Sequence, residues 1–180
     1  QPGDIGYLAG EVHGLIAAPS DQTTTSTRAE WGCNTTDIQG AIYTDIGRGA
    51  YNTGSIVNSC SQTGIAAKLA SDLDDGVYSD WFLPSKMELR KMYDNIGDPN
   101  ATGTNSNGDS LCCNFGNFTT TSGPPNGTYW SSTQSSSSYA GNYLAWDKRF
   151  PGIGQYNQQA GGESFSLKEN KMMVRAVRAF

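Results

Sequence analysis

The sequence has few charged residues, a single histidine and no long apolar run. Asp, Glu, Lys and Arg make up 16% of its 180 residues, and the formal net charge is −5. Because affinity for nucleic acid depends on clustered Lys and Arg, this balance argues against a nucleic-acid partner. No apolar run approaches the roughly 18–20 residues that span a bilayer, so we expect no membrane insertion. A general base or a zinc site built on histidine would depend on His13 alone, and a structural role at the start of a strand is the simpler interpretation.

Gly, Ser, Thr and Asn are abundant instead, a composition typical of an exposed, loop-rich binding domain. The four tryptophans supply material for a core, which argues against a flexible low-complexity chain. The length suits one domain, 1–180. The chain begins at Gln1 without a signal-like segment, so we expect a processed chain or the end of a longer one.

The four cysteines permit disulfides, and two bridges among them allow three pairings. Cys33–Cys60 is one candidate link, while the adjacent Cys112 and Cys113 are equally compatible with free, buried thiols. The adjacent pair does not have the spacing of a zinc knuckle.

Two segments have helical patterns. Apolar residues follow one helical face over about 63–73. In the segment 81–97, Ser85 and Glu88 form a capping box, and apolar residues then recur at helical spacing over about 85–96. Residues 38–57 carry turn signals and are predicted to form loops and short pieces.

The remaining segments favour strands and loops. Strands are expected at 14–18, 129–132, 143–150 and 172–180, and the Asn-, Gly- and Thr-rich segment 97–127 is predicted to be a surface insertion. Two helices with several short strands indicate an α+β fold, with the helices packed on short antiparallel sheets.

Longer motifs, taken together, resemble one family. They are HGLIAAPSDQ (13–22), VYSDWFLPSKMEL (77–89), YWSST (129–133), AWDKRF (145–150) and VRAVRAF (174–180). The chain resembles the Lcl C-terminal, or Fibrobacter succinogenes major domain, family over nearly its whole length. The resemblance implies a C-type-lectin-like fold of the branch shared with formylglycine-generating enzymes. It also implies a variable protein of a diversity-generating retroelement, from a phage, an archaeal virus or a prokaryote, whose C-terminal stretch is rewritten while the fold is kept.

This resemblance implies that residues within about 129–180, the candidate variable region, are of two kinds, framework residues and ligand-binding residues. Tyr129, Trp130 and Trp146 are expected to be framework residues that fix the backbone. Tyr and Ser are the residues that antibody paratopes favour, because Tyr supplies rigid contact area and Ser supplies adaptable hydrogen bonds. The expected ligand-binding surface, within about 134–158, comprises Ser135, Ser136, Ser137, Ser138, Tyr139, Tyr143, Asp147, Arg149, Pro151, Ile153 and Tyr156.

Further expectations concern the scaffold and the partners. Trp81, Phe82 and Leu83 are expected to be buried, and Arg175 and Arg178 to pair with carboxylates such as Asp80 or Glu88. The predicted function is recognition of a protein or glycan ligand on another cell or virion, without catalytic residues, cofactor or metal. We expect an extracellular, cell-surface or virion-surface location and allow for a homo-oligomer, since displayed binders gain avidity from multivalency.

Other readings of the sequence were weighed against this one. DLDDG (72–76) invites a calcium site, but the twelfth position of an EF-hand loop would be Leu83, so a solvated helix end is favoured. The GRG at 47–49 is too short for a phosphate loop, and turn glycines explain it. A cysteine-dependent oxidase would need Cys112 and Cys113, which lie outside any motif of that activity. A fixed-specificity adhesin or a structural surface module is the remaining alternative.

Overall fold

The computed structural model describes residues 13–97, 116–119, 127–135, 143–150 and 162–180, and the backbone of 103–104 and 110–111. Helices and strands are mixed, which confirms the α+β prediction. In chain order the elements are β1 (Leu15–Ala17), α1 (Gly49–Ser59), α2 (Ala66–Ser71), α3 (Lys86–Met92), β2 (Gly103–Thr104), β3 (Ser110–Leu111), β4 (Thr128–Gln134), β5 (Leu144–Arg149), β6 (Glu163–Leu167) and β7 (Val177–Ala179). A 3-10 turn precedes α1 at Gln39–Ala41, and a π-helical turn extends α3 through Tyr93–Gly97.

The strands of the described chain pair antiparallel in three small sheets. The largest has the order β4-β5-β6, and the other two pair β1 with β7 and β2 with β3. Tyr129 of β4 lies opposite Lys148, and the β4–β5 register shifts between Trp130 and Gln134. β5 is therefore the central strand of this sheet, and it carries two of the predicted binding residues, Asp147 and Arg149.

The capping box predicted for α3 is confirmed. Glu88 N donates to Ser85 Oγ at 3.3 Å, and Ser85 N donates to Glu88 Oε2 at 2.7 Å. The other carboxylate oxygen, Oε1, accepts from Gly47 N at 2.7 Å. Burial raises the pKa of Glu88, and the backbone donors oppose that rise. Glu88 thus joins the start of α3 to the turn that leads into α1.

The prediction of loops at 38–57 is wrong for its second half, because α1 occupies Gly49–Ser59. The glycines, Asn and Thr of α1 have weak helix propensity, so tertiary contacts must stabilise this helix. Ile56 is fully buried, and Leu83 N donates to Thr53 Oγ1 at 3.0 Å. α2 is also shorter than the helix expected at about 63–73.

The core consists of two clusters of buried apolar side chains. Trp31, Trp130 and Ile56 belong to the first, and Tyr129 and Phe150 to the second. Each of these side chains is 0% exposed, in agreement with the framework role expected for Tyr129 and Trp130. The predicted burial of Trp81, Phe82 and Leu83 is also confirmed, at 4%, 7% and 0% exposed.

The segment 97–127 is not wholly a surface insertion. Phe118 is 3% exposed and lies in the second cluster, with its ring centroid 4.4 Å from that of Phe150. Arg175 donates to Gly116 O at 2.7 Å and to Asn117 O at 3.0 Å. These contacts bury part of the segment, because an aromatic side chain and two backbone carbonyls complete the core there.

Both C-terminal arginines pair with carboxylates. Arg178 Nε lies 2.8 Å from Asp80 Oδ1, as predicted. Arg175 pairs instead with Asp21, whose other oxygen accepts from Tyr129 Oη at 2.9 Å. Burial, together with the charge of Asp21, raises the pKa of the Tyr129 hydroxyl far above its usual range. Asp21 thereby links the loop after β1 to β4 and to the chain just before β7.

Cys33 and Cys60 form a disulfide, with their Cα atoms 5.8 Å apart. The bond joins the loop before α1 to the residue that follows that helix. Of the pairings that the sequence left open, this one is confirmed. Cys112 and Cys113 lie outside the described residues.

Candidate functional site

Three of the predicted binding residues lie along β5 on one side of the sheet. Successive strand residues point to opposite faces, so Asp147 and Arg149 share a face, and Trp146 takes the other. β5 pairs with β6 so that Asp147 lies opposite Ser164 and Ala145 opposite Ser166. Lys168 N donates to Tyr143 O at 2.7 Å, which extends the β5–β6 pairing by one residue. Tyr143 therefore points to the same side of the sheet as Asp147 and Arg149. We call Tyr143, Asp147, Arg149, Ser164 and Ser166 the β5–β6 polar face.

The opposite face of the sheet packs on α3, and this packing supports the sheet. Lys86 Nζ lies 3.6 Å from the centroid of the Trp146 ring and 3.3 Å from Glu163 Oε2. The Phe165 ring meets Trp146 edge-on, with centroids 5.5 Å apart. Trp146 is part-buried, and these contacts agree with the framework role expected for it.

Tyr143 and Arg149 have the exposure expected of displayed residues. Tyr143 is 45% exposed, and Arg149 is part-exposed. The Arg149 side chain forms no hydrogen bond or ion pair with any residue that the structure describes. A tyrosine ring and an unpaired guanidinium are both groups that contribute strongly to protein interfaces.

Asp147 and Ser135 are buried, so the prediction that they are displayed is wrong. Asp147 is 4% exposed and Ser135 is 2% exposed. Asp147 belongs to the central strand, beside Trp130 on β4 and Ser164 on β6. Ser135 continues β4, and its N–H donates to Leu144 O at 2.9 Å. Position within the sheet, rather than residue type, determines the burial of both.

The Asp147 carboxylate is only half satisfied. Its Oδ1 accepts from Ser164 Oγ at 2.7 Å, whereas Oδ2 is buried without a hydrogen-bond partner among the residues that the structure describes. Burial raises the pKa of Asp147, and the Ser164 and Ser166 hydroxyls oppose that rise. This carboxylate is buried within the polar face rather than exposed on it.

The sequence reasoning missed β6. Ser164, Phe165 and Leu167 on this strand are exposed, and the two apolar side chains are 47% and 42% exposed. The alternation of Ser with Phe and Leu in ESFSL is the signal that could have identified the strand. The remaining predicted residues, Ser136, Ser137, Ser138, Tyr139, Pro151, Ile153 and Tyr156, lie outside the described residues.

A buried lysine fixes the end of β4 beneath the polar face. Lys168 Nζ donates to Gln134 Oε1 at 2.7 Å and to Thr36 O at 2.8 Å. It also lies 4.5 Å from the centroid of the Trp31 ring. Burial lowers the pKa of Lys168 to about 8, while the charge of Asp37 opposes that shift. Lysine is rarely fully buried, and nothing in the sequence around it predicted this role.

The other candidate sites from the sequence have ordinary structural explanations. Asp75 Oδ1 accepts from Val77 N at 2.9 Å and from Tyr78 N at 2.7 Å. These bonds close the exposed turn after α2, as the favoured reading of DLDDG expected. His13 is exposed just before β1. In the part of the chain that the structure describes, no group of His, Cys, Asp and Glu is arranged to hold a metal ion.

Comparison with known proteins adds no relative: no family model matches the chain, and no curated protein matches it. Among the helices that the structure describes, none is long and apolar enough to cross a membrane. The β5–β6 polar face presents hydroxyls, one aromatic ring and one guanidinium, and it contains one buried carboxylate, that of Asp147. Such a surface can form hydrogen bonds and apolar contacts with a large ligand.

Proposed function

We propose that this domain is a non-enzymatic binding module that recognises a protein or glycan ligand through the β5–β6 polar face. The observation that carries the proposal is the contrast between neighbouring strands of one sheet. Tyr129 and Trp130 on β4 are 0% exposed, whereas Tyr143, next to the central strand, is 45% exposed. Buried core side chains on β4 therefore lie beside exposed interaction groups in the same sheet. Binding to such a surface has a low entropic cost, because little of it must become ordered.

The composition of the face supports macromolecular recognition. Tyr143 and Arg149 belong to the residue types that dominate binding energy at interfaces. Ser164 adds an exposed hydroxyl; its hydrogen is donated to Asp147, so its oxygen is left to accept hydrogen bonds. Exposed Phe165 and Leu167 point to the opposite side of the edge strand β6 and lie outside this face. This combination of rigid aromatic contact with adaptable hydrogen bonding is typical of paratope-like surfaces.

We also propose that the face is diversified, in a C-type-lectin-like domain of a retroelement variable protein. This part rests on the resemblance carried by YWSST, AWDKRF and VRAVRAF. Sequencing of the DNA that flanks the gene tests it. We expect a reverse transcriptase and a near-copy of the codons for 129–180 that differs mainly at adenines. Absence of both would leave a fixed-specificity adhesin or a structural surface module.

Binding itself is tested with a multimeric, fluorescent form of the domain on arrays of cell-surface proteins and of glycans. For any captured ligand, Tyr143→Ala is expected to weaken binding by about tenfold or more, since truncation of a central tyrosine has such effects. Tyr78→Ala is the matched control, because Tyr78 is also 45% exposed but lies beside Arg178 on β7. Equal affinity of both variants would show that the ligand binds elsewhere.

A further inference from the structure

A cavity of about 310 Å³ lies between β1 and α3, away from the β5–β6 polar face. Its walls are mostly apolar and come from β1, from the turn before α1 and from α3 with its π-helical extension. The lining includes Leu15, Ala17, Glu88, Lys91, Met92 and Ile96. A concave apolar site with a few polar groups is the usual form of a small-molecule site.

The polar groups of the cavity differ in how available they are to a ligand. The carboxylate of Glu88 is already used, because it accepts from Gly47 N and Ser85 N at 2.7 Å each. Lys91 is exposed, and its ammonium forms no ion pair with a described residue. Asn95 Nδ2 donates to the backbone oxygen of Lys91 at 2.7 Å. The charge that remains available to a ligand is therefore positive, and it belongs to the solvent-facing residue Lys91.

The volume limits the size of a ligand. A water-sized group takes about 30 Å³, so 310 Å³ holds roughly ten non-hydrogen atoms. That is the lower end of the range for ligand pockets, about 300–1,000 Å³. A short aliphatic chain with one head group fits this volume.

We propose that this cavity binds a short-chain aliphatic carboxylate. The aliphatic chain packs against Leu15, Met92 and Ile96, and the carboxylate pairs with the Lys91 ammonium at the solvent-facing side. Burial of the chain supplies most of the affinity, at about fourfold in the dissociation constant per methylene. The ion pair selects the sign of the head group, because an ammonium ligand would be repelled by Lys91. The inference does not depend on the proposed function, since the two sites share no residue.

The test is a titration of the isolated domain with three probes of equal chain length: hexanoate, hexan-1-ol and hexylammonium. Backbone amide resonances of Leu15, Met92 and Ile96 are followed by NMR. We expect saturable shifts with hexanoate, a dissociation constant at least about fivefold weaker for hexan-1-ol, and weaker binding still for hexylammonium. No saturable shift with hexanoate, or equal affinity for the three probes, would overturn the proposal.

Two variants and one matched control make the result specific. Lys91→Glu is expected to reverse the order of affinities of the three probes, so that hexylammonium binds more tightly than hexanoate. Lys171→Glu makes the same charge change at an exposed lysine outside the cavity, and it should leave the order unchanged. Ala17→Leu fills part of the cavity and should weaken all three probes. Thermal unfolding of each variant establishes that the fold is retained, and an unchanged order in Lys91→Glu would contradict the assignment.

Discussion

Arg175 Nε lies 2.7 Å from Asp21 Oδ1, and the two side chains are only 1% and 8% exposed. The guanidinium also donates to the carbonyl oxygens of Ala18, Gly116 and Asn117, and it lies 4.5 Å from the centroid of the Phe118 ring. One side chain therefore joins the loop after β1, the segment around Phe118 and the chain leading into β7. Removal of a partner from such a buried pair leaves an uncompensated charge.

Arg175→Met is expected to lower the free energy of unfolding by about 3–5 kcal/mol, because Asp21 would remain buried without its partner. Urea unfolding followed by tryptophan fluorescence measures this loss. Arg178→Met is the matched control, since its pair with Asp80 lies at the surface and should contribute far less. Equal losses in the two variants would contradict the importance assigned to the buried network.

Trp130→Ala tests the framework role of β4. The indole is 0% exposed, and its Nε1 donates to Ala29 O at 3.0 Å. Loss of a buried aromatic side chain of this size costs about 3–5 kcal/mol. Tyr143→Ala, at the exposed face, is expected to change stability by no more than about 0.5 kcal/mol. Unchanged thermal stability in Trp130→Ala would refute the framework assignment.

Stability is expected to rise with pH above about 8 because of Lys168. Its pKa is about 8 in the folded state, below the ordinary value of 10.5. Between these two pKa values the unfolded chain therefore binds more protons than the folded chain. The free energy of unfolding rises with pH over that range. The rise amounts to about 1–2 kcal/mol between about pH 8 and about pH 9.5. Urea unfolding at several pH values should show this slope in the native domain and lose it in Lys168→Met.

Loss of the Cys33–Cys60 bond is expected to lower stability by about 3 kcal/mol. The bonded residues are 27 apart in sequence, and closure of a loop of this length restricts the unfolded chain by roughly that amount. The double variant Cys33→Ala, Cys60→Ala isolates the effect from the other cysteines. A midpoint of urea unfolding equal to that of the native domain would show that contacts of α1, rather than the bond, hold this region together.

Local signals in the sequence predicted the parts of the fold that local chemistry controls. The capping box of Ser85 and Glu88 predicted α3, because a helix start needs acceptors for its free N–H groups. Alternation in the C-terminal segment predicted a strand. α1 was missed because its glycines, Asn and Thr are poor helix formers, and buried contacts of Ile56 and Thr53 override that preference.

The central strand of the candidate site was predicted, but the burial of its residues was not. Tyr143 and Arg149 could be assigned to a strand near the C-terminus, since aromatic residues mark that segment. The burial of Asp147 and Ser135 depends on which strands flank β5, and long-range pairing of that kind leaves no local signature. Lys168 was missed for the same reason, as its partners Thr36 and Gln134 are distant in sequence.

The pairing of β1 with β7 determines how the domain responds to mechanical load. Gly14 and Phe180 exchange two backbone hydrogen bonds of 3.1 Å, and the strands that follow and precede them run antiparallel. A force that separates these two residues loads the bonds one after another, as in unzipping, rather than all together. We expect β1 to detach at low force in single-molecule pulling, before the β4–β5–β6 sheet is strained. The Cys33–Cys60 bond would keep the residues between those cysteines from being stretched. The contour length gained on full unfolding should therefore be shorter, by the length of that segment, than in the reduced protein.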